Sequence, residues 1–105
     1  MHRLEAKRKL EAMSKALSDV RVRKFDVISF QTGIIQLHAQ EKNIDLLLDF
    51  DLFLDSKVGD YLFFEFVIDE YNDIKILFLL TGDEVKYLEN KGFKYKIGKG
   101  VEKIS

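Results

Sequence analysis

Between residues 3 and 18 the apolar positions recur at helical spacing, and beyond residue 20 they recur at every second residue. Ala6, Leu10, Met13, Leu17 and Val20 stand four and three apart, which puts them on one stripe of a helix. Ala6, Ala12 and Ala16 favour helix, and Glu5–Lys9 and Glu11–Lys15 stand at i,i+4. The stripe is as narrow as a two-heptad seam. A helix of this kind, spanning residues 1–19 at most, needs something to dock on, either its own sheet or a partner.

Alternation with period two begins at 20–23 and continues through 26–31, with a slip near Lys24 and Phe25 that predicts a bulge or bend. Thr32-Gly33 predicts a tight hairpin turn. Ile35, Leu37 and Ala39 then share one face, opposite Gln36, His38 and Gln40, and Glu41-Lys42-Asn43 reads as a second hairpin. From 44 to 55 the alternation is clearest. Ile44, Leu46, Leu48, Phe50, Leu52 and Leu54 take one side, and Asp45, Leu47, Asp49, Asp51, Phe53 and Asp55 the other. That pattern predicts one long half-buried strand, with room for a break in its middle. Residues 56–60 turn the chain, and 61–69 with 74–80 predict a hairpin around Tyr71-Asn72-Asp73.

Thr81 and Glu84 stand as the N-cap and N3 residues of a capping box, with Leu80 and Val85 as its hydrophobic staple. Gly92 is suited to the position just past a helix C-terminus, so a short helix is expected near 82–91. Phe93, Tyr95 and Ile97 alternate with Lys94 and Lys96 as a last strand, and 98–105 reads as a loose tail. The expected fold is α+β, one domain over 1–105. It has an N-terminal helix, a mostly antiparallel, curved sheet of five or six strands, open or barrel-like, and a short helix before the last strand.

A meander with one wet face does not need apolar residues on both sides. Leu47, Phe53, Phe63, Val67, Leu77 and Leu79 nonetheless all fall opposite the main apolar rows. With Leu10, Met13 and Leu17 of the helix they form a candidate dimer or partner interface, and a homodimer is the economical expectation. The segment Val58-Gly59-Asp60-Tyr61-Leu62-Phe63-Phe64 is similar to the Gly-Asp lead-in to a strand in OB-fold and SH3-like barrels. It covers seven of the 105 residues, and the resemblance implies no site, cofactor or activity.

The net charge of -1 hides segregation. Residues 1–24 hold eight basic side chains and three acids, residues 41–89 hold thirteen acids and four lysines, and residues 90–105 are basic again. Basic ends over an acidic middle can neutralise one another within the chain or across a dimer, or they can mark a partner surface. There is no Cys, which removes disulfides and thiol chemistry, and no membrane span or apolar leader is visible, so the cytoplasm is the default location.

No serine lies in a nucleophile elbow, and the only histidines are His2 and His38, the latter on the outward row of a strand. Asp49 and Asp51 could share a hard cation, but no loop pattern supports it. The turn before the second helix carries acids where an anion would bind. No catalytic residue, metal or cofactor is therefore assigned. The cations of the first helix scatter around its axis, which argues against a recognition helix.

The expected role is a small, non-enzymatic, homodimeric protein that binds another macromolecule. One alternative is nucleic-acid binding through the basic N-terminal segment and the last strand, with Arg21, Arg23, Lys94, Tyr95 and Lys96 as candidates. Another is an acidic surface built on Asp45, Asp49, Asp51 and Asp55 that imitates a phosphate backbone and occupies a basic site on another protein.

Overall fold

The computed structural model describes residues 3–97, so His2 and the tail expected over 98–105 lie outside the described residues. Helix α1 (Arg3–Ser18) is followed by strands β1 (Asp26–Gln31) and β2 (Ile34–His38), then a 3-10 helix (Ile44–Asp49). Strands β3 (Leu52–Val58) and β4 (Tyr61–Phe66) come next. A second 3-10 turn (Asp69–Tyr71), strand β5 (Lys75–Thr81), helix α2 (Gly82–Glu89) and the two-residue strand β6 (Lys96–Ile97) complete the order. The fold is α+β, with one six-stranded sheet in the order β1-β2-β5-β4-β3-β6.

The sheet is open and mixed. β1 and β6 are its edges, so it does not close into a barrel. β1–β2, β3–β4 and β4–β5 pair antiparallel, whereas β2–β5 and β3–β6 pair parallel. The parallel pairing of β2 with β5 follows from the path between them: the chain leaves β2, crosses to β3, and the β3–β4–β5 meander brings it back alongside. Gly33 anchors that junction. It turns the first hairpin at φ 90, a region that favours glycine, while its carbonyl accepts from Lys75 N at 2.8 Å and its N–H donates to Met13 Sδ at 3.2 Å.

One face of the sheet carries the core. Ile35, Leu37, Leu52, Leu54, Phe64, Ile76, Phe78 and Leu80 are buried there with Met13 and Ala16 of α1, Ile44 and Leu47 of the 3-10 helix, and Val85 and Leu88 of α2. Phe50 stacks on Phe66 at 4.4 Å, and Phe25 meets Phe78 edge-on at 4.8 Å. Both helices thus lie on the same side of the sheet.

Several expectations are corrected. Residues 44–49 are a 3-10 helix rather than the first half of a long strand. Ile44 and Leu47, three apart, both face the core, which is the spacing at which 3-10 side chains superimpose. Leu47 therefore belongs to the core and not to the opposite face. Residues 20–23 are turns, since the backbone of Val22 and Arg23 donates back to Asp19 O. No hairpin forms at 41–43, and the last strand is two residues long. The buried side of α1 centres on Met13 and Ala16 with Ala12 and Leu17 against them, a rotation from the expected stripe that leaves Leu10 about half exposed. The capping box of α2 forms as expected: Thr81 Oγ1 accepts from Glu84 N and Glu84 Oε1 accepts from Thr81 N. Gly92 follows α2 at φ 95.

Candidate functional site

The face of the sheet turned away from both helices is where chemistry and exposure coincide. Alternation places Val58, Tyr61, Phe63 and Glu65, Phe53 and Asp55, Lys75, Leu77 and Leu79, and Gln36 on this side, with His38 at its margin, where it reaches Glu84 of α2. The register aligns them in rows. Phe63 pairs with Leu79 and with Ser56, Val58 with Tyr61, and Glu65 with both Leu77 and Phe53. At the β6 edge Phe53 pairs with Lys96, whose ammonium lies 5.5 Å from the Phe53 ring centroid.

This face is not uniformly bare. Leu77 is 6% exposed yet stands apart from the core cluster. It is flanked in register by Gln36 and Glu65, and Lys75 Nζ meets Asp55 Oδ1 at 3.0 Å on the same side. That hydrogen bond to Asp55 holds the Lys75 ammonium above its usual pKa. Phe53, Phe63 and Leu79 are half-buried, while Val58 and Tyr61 are 62% and 49% exposed. Val67, 49% exposed, continues the row beyond the end of β4. Of the residues proposed from sequence, Phe53, Phe63, Leu77, Leu79 and Val67 thus share one face. Met13 and Leu17 pack against the core, and Leu10 lies on the outer side of α1. Val58 and Tyr61 were missing from that set, although both continue the alternation through Phe63 and Ser56.

The four aspartates do not form a row. Asp45 lies in the first turn of the 3-10 helix and accepts from Tyr87 OH at 2.9 Å and from Lys91 Nζ at 3.0 Å. The Lys91 bond first, then that of Tyr87, holds its carboxyl below the usual range. Asp49 and Asp51 are exposed on either side of Phe50, where the helix gives way to strand, and Asp55 is taken by Lys75. Replacing the first half of the strand by a helix breaks the spacing on which a continuous acidic surface depends.

The nucleic-acid candidates are also separated. Arg21 is held by Asp19, with Nε to Oδ1 at 3.0 Å and Nη2 to Oδ2 at 2.8 Å, and Glu70 lies 3.7 Å away. Arg23 is exposed in the turn after α1. Lys94 and Lys96 are exposed, but Tyr95 packs against the core with its ring 5.0 Å from that of Phe64. A ring turned inward offers no stacking surface to a base.

A groove of about 290 Å³ lies between β2 and α2, lined by Ala39, Ile44 and Tyr87 and by Glu41, Asp83 and Glu84, with His38 Nε2 3.5 Å from Glu84 Oε2. Among the described residues no three His, Asp or Glu side chains converge to hold a metal ion, and no helix is long and apolar enough to cross a membrane. No protein-family model, curated protein or solved structure matches the chain.

Proposed function

We propose that the chain is a non-enzymatic interaction module of the cytoplasm that pairs with a second copy of itself through the open face of the sheet. The observation that carries the reading is the run Val58, Tyr61, Phe63, Leu79 and Phe53 on the side opposite both helices. Exposed apolar surface gathered on one face is a feature of docking surfaces rather than of monomer exteriors. A second copy suits the charges around it: Lys75 and Lys96 stand among Asp55, Glu65 and Asp26, so the face carries both signs. A strongly anionic or cationic partner would meet like charge there, whereas a two-fold related copy offers each sign to its opposite.

Sedimentation equilibrium on the full chain tests the reading. The dimer is expected to dissociate in Leu79→Glu and in Tyr61→Glu, with far-UV circular dichroism unchanged. A wild-type chain that stays monomeric at roughly 100 µM, a concentration at which even weak dimers associate, overturns it.

A further inference from the structure

The outward side of α1 carries an unexpected concentration of charge. Docking through Met13 and Ala16 decides which side chains of the helix face water. At 100° per residue, Arg3, Lys7, Arg8 and Lys15 then fall within an arc of about 140° opposite the docked side. All four are exposed. Cations that look scattered on an isolated helix are sorted onto one side once the helix has a back. Glu11 is the single acid inside the arc.

These cations are not neutralised by the acidic middle of the chain. Among the described residues the ion pairs of lysine and arginine are Arg21 with Asp19 and Glu70, Lys75 with Asp55, and Lys91 with Asp45. None involves Arg3, Lys7, Arg8, Lys9 or Lys15, and the i,i+4 pairs expected at Glu5–Lys9 and Glu11–Lys15 do not close. Asp19 and Glu70, the acids at the C-terminal end of α1, are engaged by Arg21.

We propose that the outward face of α1 is a docking surface for the phosphate backbone of double-stranded nucleic acid. The four cations extend over about 18 Å of helix, enough to meet several phosphates of one backbone. Two are arginines, whose planar forks grip phosphate oxygens in pairs. An anionic membrane fits less well, because surface-bound helices bury a wide apolar side in the lipid, whereas Met13, Ala16 and Leu17 of α1 are committed to the core and Leu4 and Leu10 are the large apolar side chains it leaves exposed. The contacts reach backbone only, so the binding is independent of base sequence. The surface lies on the opposite side of the sheet from the proposed dimer face, so the two inferences stand or fall separately.

Fluorescence anisotropy of a labelled duplex of about 20 base pairs, titrated with the full chain over a salt series, tests the assignment. The expected slope of log K against log salt is roughly -3 to -4, from about four neutralised phosphates. Arg8→Glu with Lys15→Glu should weaken binding roughly tenfold or more, and Lys7→Gln alone should make the slope shallower by about one. Lys42→Glu with Lys94→Glu, exposed positions that belong to neither proposed surface, should leave binding unchanged, and thermal melts of each variant confirm folding. No binding at low salt overturns the proposal, as does binding insensitive to the α1 substitutions in folded variants. Displacement by polyglutamate as effective as by unlabelled duplex overturns it in favour of an acidic protein. Tighter α1-dependent binding to phosphatidylserine vesicles overturns it in favour of a membrane.

Discussion

Lys75 on β5 reaches past β4 to Asp55 on β3, Nζ to Oδ1 at 3.0 Å, on the face of the sheet that no helix covers. Asp55 can meet it because the β3–β4 register shifts between Leu54 and Ser56, which makes Asp55 the residue of the bulge. The ion pair stands over the side on which Leu77 is buried. Lys75→Ala should cost only about 0.5 kcal/mol, since the lysine is half exposed and solvent screens the pair. It should nonetheless uncover Leu77, seen as increased binding of a hydrophobic dye without loss of folded signal. A loss of several kcal/mol would mean that the pair is structural instead of a screen.

Asp19 gathers four hydrogen bonds where α1 ends. Arg21 N and Nε donate to Oδ1, and Arg21 Nη2 and Tyr71 OH donate to Oδ2. The Arg21 side chain is the largest cause, and the carboxyl is held well below the usual range. A depressed pKa means that the stabilisation is fully present above the unfolded value of about 4 and disappears as pH falls below it. Asp19→Asn should therefore lower stability by about 1–2 kcal/mol at pH 7. Urea unfolding should show the gap to wild type narrowing between about pH 4 and pH 2. A gap of constant size across that range would count against this role.

Met13 connects α1 to the first hairpin twice over, through its burial in the core and through the N–H of Gly33 on its sulfur. Met13→Ala should cost about 2–4 kcal/mol by cavity formation and release α1. Helical circular dichroism should then fall at lower temperature than the sheet signal. Gly33→Ala should cost about 1 kcal/mol, because a side chain at φ 90 is strained and its Cβ would meet Lys9 Cδ at 3.3 Å. The flexible lysine can yield, whereas the backbone cannot.

The capping box makes a separable prediction for α2. Thr81→Ala removes the acceptor for Glu84 N and should cost about 1 kcal/mol. Hydrogen exchange should accelerate at the amides of residues 82–85 while β5 stays protected. Equal acceleration in β5 would show that the helix and strand open together.

The local features of this fold are legible in the sequence. Thr81 and Glu84 announce the start of α2, Gly33 and Gly92 mark positive-φ positions, and the alternation of Leu62, Phe64 and Phe66 against Ile76, Phe78 and Leu80 identifies the core rows. Each depends on residues only a few positions apart. The run Ile44–Asp49 is different, because IDLLLD satisfies both a period of two and a period of three. Packing decides between them: the 3-10 form buries Ile44 and Leu47 together and sets Asp45 against Tyr87, 42 residues away. The candidate surfaces divide in the same way.

By itself the sequence determined that the chain is α+β, where α1 and α2 begin, and that Phe53, Phe63, Leu77 and Leu79 oppose the main core. Those are consequences of period and of side-chain preference, which act over one or two turns of chain. Only the tertiary structure decided that both helices lie on one side, that the acidic row is broken, and that the cations of α1 share an outward face. Each depends on which surfaces meet across long separations in the chain. A helix has no outer side until something is packed against its inner one.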